Sequence, residues 1–167
     1  MKIQLATTAD LPLIKALAEE VWWAHYPEII TGEQIRFMLD EWYSLEALTH
    51  QMTALEHQFW FITPEEADQA RGYLSIGPDK IPGNYYLHKF YLANRGQGIG
   101  ARAFLAVLDQ LPDWETVRLN VNRRNFRSVN FYFKMGFVIE SNLDLVVGDG
   151  RFVMDDYVMI KKRSAAR

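Results

Sequence analysis

Residues 87–101 constrain this chain more tightly than any other stretch. An apolar, aromatic run from Leu87 to Leu92 leads into Arg95, Gly96, Gln97, Gly98, Ile99 and Gly100. Beyond it, Ile99, Ala103, Phe104, Val107, Leu108 and Leu111 recur at helical spacing, which predicts a strand, a glycine-rich turn and a helix stopped by Pro112. Such a junction is an anion site. The first N–H groups of a helix have no partner within it, and the aligned peptide dipoles add about half a positive charge there. Glycine removes the Cβ that would hold a phosphate away from the backbone. The ligand expected here carries phosphate.

Composition narrows the setting. With 167 residues, 49% of them hydrophobic, the chain is expected to be one domain, residues 1–167, with a substantial core. No apolar run approaches the ~20 residues that span a bilayer, and Met1 to Thr8 reads as a strand rather than a signal region. The absence of cysteine excludes disulfides and thiolate metal sites and agrees with a cytoplasmic location. His25, His50, His57 and His88 have no metal-ligand spacing, so no metal is expected. The net charge of −3 conceals a division: residues 1–68 carry twelve acids against three bases, and residues 69–167 nine acids against fifteen bases. Two solvated faces would explain it. So would an acidic half that attracts a cation and a basic half that attracts a polyanion.

The patterning predicts β-α-α-α-β-β-β-α-β-α-β-β. The first helix is expected to be capped at Asp10, with Leu13, Ile14, Leu17, Ala18, Val21 and Trp22 inward. Thr31 with Gln34 opens a second helix that buries Ile35, Met38, Leu39 and Trp42. Ser44 caps a third, with Leu45, Leu48, Met52 and Leu55 inward. Strands are expected near 58–63, 70–76, 85–92 and 116–121. A short helix from Asn125 to Met135 ends on Gly136 as its left-handed residue, and strands 137–147 and 152–160 follow, joined by Gly148, Asp149 and Gly150.

The glycine turn alone leaves several owners. A Walker loop requires a Lys directly after the glycines, and none stands there. Gly96, Gly98 and Ala101 do satisfy G-x-G-x-x-A, but the following strand ends at Leu119, Asn120, Val121 and Asn122, without the acid that holds a ribose in dinucleotide folds.

Arg95, Gly98 and Gly100 also match Q/R-x-x-G-x-G/A. Thirty residues after Arg95, the residues Asn125, Ser128, Phe131, Tyr132, Lys134, Gly136 and Phe137 match N-x-x-S/A-x-x-F-Y-x-K-x-G-F. On these two motifs the chain resembles the Gcn5-related N-acetyltransferase (GNAT) superfamily, specifically over residues 85–138. The resemblance implies an α/β fold: a mixed, mostly antiparallel seven-stranded sheet, splayed central parallel strands at 85–92 and 116–121, and helices on both faces. It implies acetyl-CoA as cosubstrate. The main chain of Phe90, Tyr91 and Leu92 would hold the thioester and pantetheine. Arg95, Gly96, Gln97, Gly98, Ile99, Gly100 and Ala101 would cradle the pyrophosphate, and Asn125 would bridge to the pantetheine amides. Ser128, Phe131 and Lys134 would complete the cofactor site, with Arg102 and Arg127 further candidates for the ribose phosphate. One departure stands out: only Ala93 and Asn94 separate Leu92 from Arg95, about two residues fewer than is usual in the family.

The implied chemistry asks little of side chains. A neutral amine attacks the thioester, and Tyr132 is placed to protonate the leaving thiolate. An alkylamine with a pKa near ~10.4 must first lose a proton. Glu19, Glu20, Glu28, His88 and Tyr157 are candidate bases. Val21 to Tyr26, Thr31 to Leu39 and Tyr43 are similar in type and spacing to the polyamine-acetylating (PaiA-like) branch, which agrees with the acidic N-terminal half. The expected partner is a small-molecule or peptide amine, with no nucleic acid and no membrane, in a monomer or homodimer. A CoA-binding sensor without transfer activity is the reading from another class. Arg123, Arg124 and Arg127 are too few for a nucleic-acid surface on an acidic chain.

Overall fold

A computed structural model describes residues 1–93, 98–111 and 113–164. The elements are β1 (Lys2–Leu5), α1 (Leu11–His25), α2 (Gly32–Tyr43), α3 (Leu45–Thr53), β2 (Gln58–Thr63), β3 (Gly72–Pro78), β4 (Asn84–Leu92), α4 (Ile99–Leu108), β5 (Thr116–Asn122), α5 (Phe126–Lys134), β6 (Val138–Val147) and β7 (Phe152–Lys162). The strands form a seven-stranded sheet in the order β1-β2-β3-β4-β5-β7-β6. The sheet is mixed, because β4 and β5 run parallel while β1–β2, β2–β3, β5–β7 and β6–β7 are antiparallel. This is the α/β class expected from the motifs.

The chain divides into two compact units, Met1–Gly77 with His88–Pro112, and Pro78–Leu87 with Asp113–Arg167. In the first, β1 pairs β2 from Lys2↔Thr63 to Leu5↔Trp60, and β2 pairs β3 from Gln58↔Ile76 to Ile62↔Gly72. Six consecutive residues of β3, Gly72 to Gly77, are buried, as expected of a central strand covered on both faces. Helix α1 turns Leu11, Ile14, Leu17, Ala18, Val21 and Trp22 inward. Leu13 is 43% exposed and lies off that stripe. Helix α4 buries Ile99, Ala103, Phe104, Val107 and Leu108, and Leu111 beyond it is buried too. All six apolar positions predicted for that face are therefore inward.

Several local expectations are corrected. Strand β1 ends at Leu5, because Thr7 and Asp10 begin a 3-10 turn over Thr8–Asp10. The Thr7 N–H and hydroxyl donate to Asp10 Oδ2 at 2.8 and 2.9 Å. Asp10 thus closes a capping box one turn earlier and makes no side-chain cap to α1. Thr31 and Ser44 do cap α2 and α3, accepting from the Gln34 and Ala47 N–H groups at 3.2 and 3.1 Å. On α3, however, Leu45 and Leu55 are 47% exposed, and the buried residues are Leu48 and Gln51. Trp42 is half-buried, and Tyr43 takes the inward place expected of it. Strand β3 begins two residues later than predicted and continues through Gly77 to Pro78. Helix α4 ends at Leu108, before Pro112, which lies outside the described residues.

In the second unit β4 and β5 are registered over Asn84↔Thr116, Tyr85↔Val117 and Tyr86↔Arg118. Strand β5 pairs β7 from Thr116↔Lys162 to Asn122↔Asp156, and β6 closes that edge with a register shift between Ile139 and Ser141. Helix α5 ends as its sequence predicts. Gly136 adopts φ +86, its N–H reaches Phe133 O at 3.0 Å, and the Phe137 N–H reaches Tyr132 O at 3.0 Å. Those two bonds form a Schellman motif, which needs a residue without a Cβ penalty at the left-handed position.

Candidate functional site

The glycine turn is described from Gly98 onward. Asn94, Arg95, Gly96 and Gln97 lie outside the described residues, including the short approach to Arg95. Gly98 caps α4 in the left-handed region, at φ 69 and ψ 13. A Cβ built on it would meet no atom of the described residues within 4 Å, so the space beside Gly98 is open. The Arg102 N–H bonds Gly98 O at 3.1 Å, the first turn of the ladder. The N–H groups of Ile99, Gly100 and Ala101 precede it and are the ones a helix leaves to an external acceptor. Ile99 is buried, while Gly100 and Ala101 are half-buried.

In the same unit Phe90, Tyr91 and Leu92 are half-buried at the end of β4. The ladder runs one residue further, because the Ala93 N–H donates to Arg71 O at 2.7 Å. Gly72 on β3 makes close approach possible there, since a Cβ would sit 2.4 Å from Tyr91 O. Phe90 stacks on Phe104 of α4 with ring centroids 6.4 Å apart. Tyr91 faces Tyr73 at 5.6 Å and Trp22 at 6.2 Å, and the Tyr43 hydroxyl donates to the Tyr91 hydroxyl at 3.5 Å. His25 Nε2 lies 3.3 Å from Leu92 O. Burial holds the Tyr43, Tyr73 and Tyr91 phenols well above the usual range, so they serve as neutral groups.

Lys89 on β4 was not singled out by sequence reasoning. It is 8% exposed, and its ammonium donates to Gln51 Oε1 at 2.7 Å. The same ammonium lies over the Tyr43 ring at 5.0 Å and the Phe59 ring at 5.8 Å. Burial lowers its pKa to about 8. His88, one of the predicted bases, stacks on His57 at 3.7 Å with the rings 18° apart. Loss of water around its ring first, then the His57 and Lys89 charges, lower its pKa to about 3, although the residue as a whole stays exposed. Glu19, Glu20 and Glu28 are exposed on the N-terminal segment.

In the second unit, α5 carries the downstream motif. Asn125 Oδ1 accepts from the Ser128 N–H at 3.2 Å, so the predicted cofactor residue is also the helix cap. Ser128 and Phe131 are half-buried, and Arg127 and Lys134 are exposed. Tyr132 is 9% exposed, with Phe131 and Phe137 edge-on at 5.3 and 5.4 Å. Tyr157, another predicted base, is half-buried on β7 between Val121 and Asn142. Its neighbour Asp156 was missed; two adjacent acids inside an otherwise apolar strand were the available signal. Asp156 is 5% exposed. Burial first, then the Asp155 charge, push its carboxyl up to about 6, against the pull of Arg123. Among the described residues no cluster of His, Cys, Asp and Glu could hold a metal ion, and no helix is long and apolar enough to cross a membrane.

A seven-stranded sheet with a parallel β4–β5 pair, a glycine-opened helix after β4 and an asparagine-capped helix after β5 defines an acetyltransferase fold. The acetyltransferase (GNAT) family matches residues 15–137, and the chain belongs to that family of acetyl-CoA-dependent N-acetyltransferases. Among solved structures, the chain is similar to the PaiA N-acetyltransferase of Thermoplasma acidophilum in complex with coenzyme A, at 24% identity and a TM-score of 0.75, covering 98% of this chain and 100% of that one. It is similar to the ribosomal-protein-alanine N-acetyltransferase of Brucella melitensis at 22% identity and a TM-score of 0.70, over 98% and 100% of the two chains. A chimera of the spermidine N-acetyltransferase SpeG of Vibrio cholerae and hSSAT aligns at 18% identity and a TM-score of 0.66, over 96% of this chain and 94% of that one. No curated protein sequence matches significantly.

Proposed function

We propose that this acetyltransferase acts on the primary amine of a small cationic acceptor, of which a polyamine is the leading class. The observation that carries the reading is the acidic N-terminal segment: Glu19, Glu20, Glu28, Glu33, Asp40 and Glu41 are all exposed on or beside α1 and α2. Like-signed charge of that density raises the local concentration of a polycation. The resemblance to PaiA and SpeG points the same way.

Acetyl-CoA would be held by the main chain of Phe90, Tyr91 and Leu92, by the turn from Arg95 to Ala101, and by Asn125, Ser128, Phe131 and Lys134. The open space beside Gly98 supports the pyrophosphate assignment. Tyr132 would donate its phenolic proton to the departing thiolate. Its burial between Phe131 and Phe137 holds the ring in a fixed orientation, which positioned acid catalysis requires.

CoA release measured with spermidine, a simple alkylamine, an amino sugar and an alanine-initiated peptide tests the acceptor. Spermidine is expected to be turned over fastest. Turnover of the peptide alone would replace this reading with protein N-terminal acetylation, which the likeness to the Brucella enzyme supports. Binding of CoA without turnover of any amine would favour a sensor. Tyr132→Phe keeps the ring packing and is expected to lower kcat by ~10²-fold or more with acetyl-CoA binding intact. An unchanged kcat would remove Tyr132 from the mechanism.

A further inference from the structure

Asp156 is the one buried acid among the described residues. It sits on β7 directly across from Asn122, near the carboxyl end of β5, and across from Leu143 on β6. The residue is 5% exposed; burial and the Asp155 charge act to keep its proton on, and the Arg123 charge acts against them. Arg123, the cation that acts on it, is already engaged by Asp144 and Asp155. Burying a carboxylate costs stability, and an apolar or amide side chain would relieve part of that cost. A carboxylate buried at a strand end beside polar neighbours is suited to acid–base chemistry.

Its surroundings are polar on one face only. Alternation along β5 puts Asn120 and Asn122 on the face shared with Asp156, and Tyr86 joins them through its Arg118 register. The Tyr86 phenol donates to Asn120 Oδ1. After burial, the Asp156 charge is the next cause of the rise of the Tyr86 pKa to about 12. Carboxyl ends of parallel strands are where open α/β sheets receive ligands, and β5 is parallel to β4. The next helix cap after β5 is Asn125 of the acetyl-CoA motif.

We propose that Asp156 is the general base that receives the proton of the acceptor ammonium, with Tyr86, Asn120 and Asn122 lining the approach. This rests on the amine-acetylating reading above. The ammonium gives one proton to the Asp156 carboxylate and becomes a neutral amine. The nitrogen lone pair then forms the C–N bond to the acetyl carbon, and the C–S bond breaks. The thiolate takes a proton from Tyr132, which recovers it from the nitrogen of the new amide, and Asp156 releases its proton to water. One proton leaves per turnover, and no oxidant or further reactant is needed.

The pH dependence of kcat/KM for spermidine and propylamine decides the matter. With Asp156 as base, the protonated amine is the form consumed. The profile should then rise through pH 6 and level off well below the amine pKa. On its own face Asp156 meets the Tyr86 phenol of β4, and the neighbouring Asp155 and Arg123 charges act on it in opposite senses. Removing the like charge in Asp155→Asn should move the rise to lower pH. In Asp156→Asn, kcat/KM at pH 7 should fall by ~10²-fold or more, the plateau should give way to a rise continuing toward pH 10, and acetyl-CoA affinity should hold. The thermal midpoint of Asp156→Asn at pH 8 should equal or exceed that of the wild type, since a buried charge is gone; a merely structural carboxylate would lower it. Wild-type activity and profile in Asp156→Asn would overturn this inference alone. So would a loss of activity that tracks a loss of acetyl-CoA binding and of the midpoint. A wild type inactive on every amine would overturn the acceptor reading and this inference together.

Discussion

A buried lysine shows how much one side chain can hide from a sequence. Lys89 stands between His88 and Phe90 in a strand, where period-2 alternation alone does not say which face is dry. The structure seats its ammonium against Gln51 Oε1 and the Tyr43 and Phe59 rings, and Gln51 in turn donates to Trp42 O at 2.9 Å. The pKa is lowered by burial to about 8, below the 10.5 of an unfolded lysine. The unfolded chain therefore holds more protons between those values, so the folded state gains stability as pH rises through that window. Relative to Lys89→Met, the wild type should gain roughly 2 kcal/mol between pH 7 and 9.5 in urea denaturation. Parallel stability curves for the two proteins would show that the ammonium is not desolvated.

At the scale of elements, what was legible was local. The caps of α2, α3 and α5, the apolar stripe of α4 and the left-handed end at Gly136 each depend on residues within about four positions of one another. The face of α3 was not legible. Leu45 falls in the first turn and Leu55 past the end of the helix, and the buried place between them goes to Gln51 because Lys89 needs an acceptor. Asp10 does stand at the N-cap of α1, but its side chain is taken by Thr7 upstream and makes no bond to that helix. Gly136→Ala tests the best-defined end. A Cβ there would meet Lys161 Nζ at 3.0 Å, and that ammonium already donates to Met135 O at 2.7 Å. The left-handed φ alone costs an alanine ~1–2 kcal/mol, so chemical denaturation should show a loss of about that size with an unchanged m-value. A variant as stable as wild type would mean that α5 ends in some other way.

Across the whole molecule, acid should be more damaging than the modest net charge suggests. Burial, then the charges of Lys89 and His50, lower His57 to about 4, and its Nδ1 is buried without a partner. Gly77 leaves room for the stacked pair, since a Cβ would lie 2.7 Å from His57 Cδ2. An unfolded histidine titrates near 6.5, so from there down to about 4 the unfolded chain binds the extra proton and stability falls with pH. Asp156 acts in the opposite sense between about 6 and 3.8, because its folded pKa is raised. Thermal unfolding from pH 7 to 4.5 should therefore fall more steeply in the wild type than in His57→Leu. Equal slopes would mean that His57 protonates in the folded protein as readily as in the unfolded one.

The sequence by itself determined the family, through two motifs whose spacing is a property of the chain, and most helix ends, because capping is settled within a single turn. It also supplied the acids of the N-terminal half, all of which except Asp10 are exposed. Only the tertiary structure decided which charges lose their water. Lys89 meets Gln51 across 38 positions, and Asp156 meets Asn122 across a β5–β7 register that no local pattern encodes. Desolvation depends on what covers a group from distant strands and helices, and for that reason the proposed base became visible only in the folded chain.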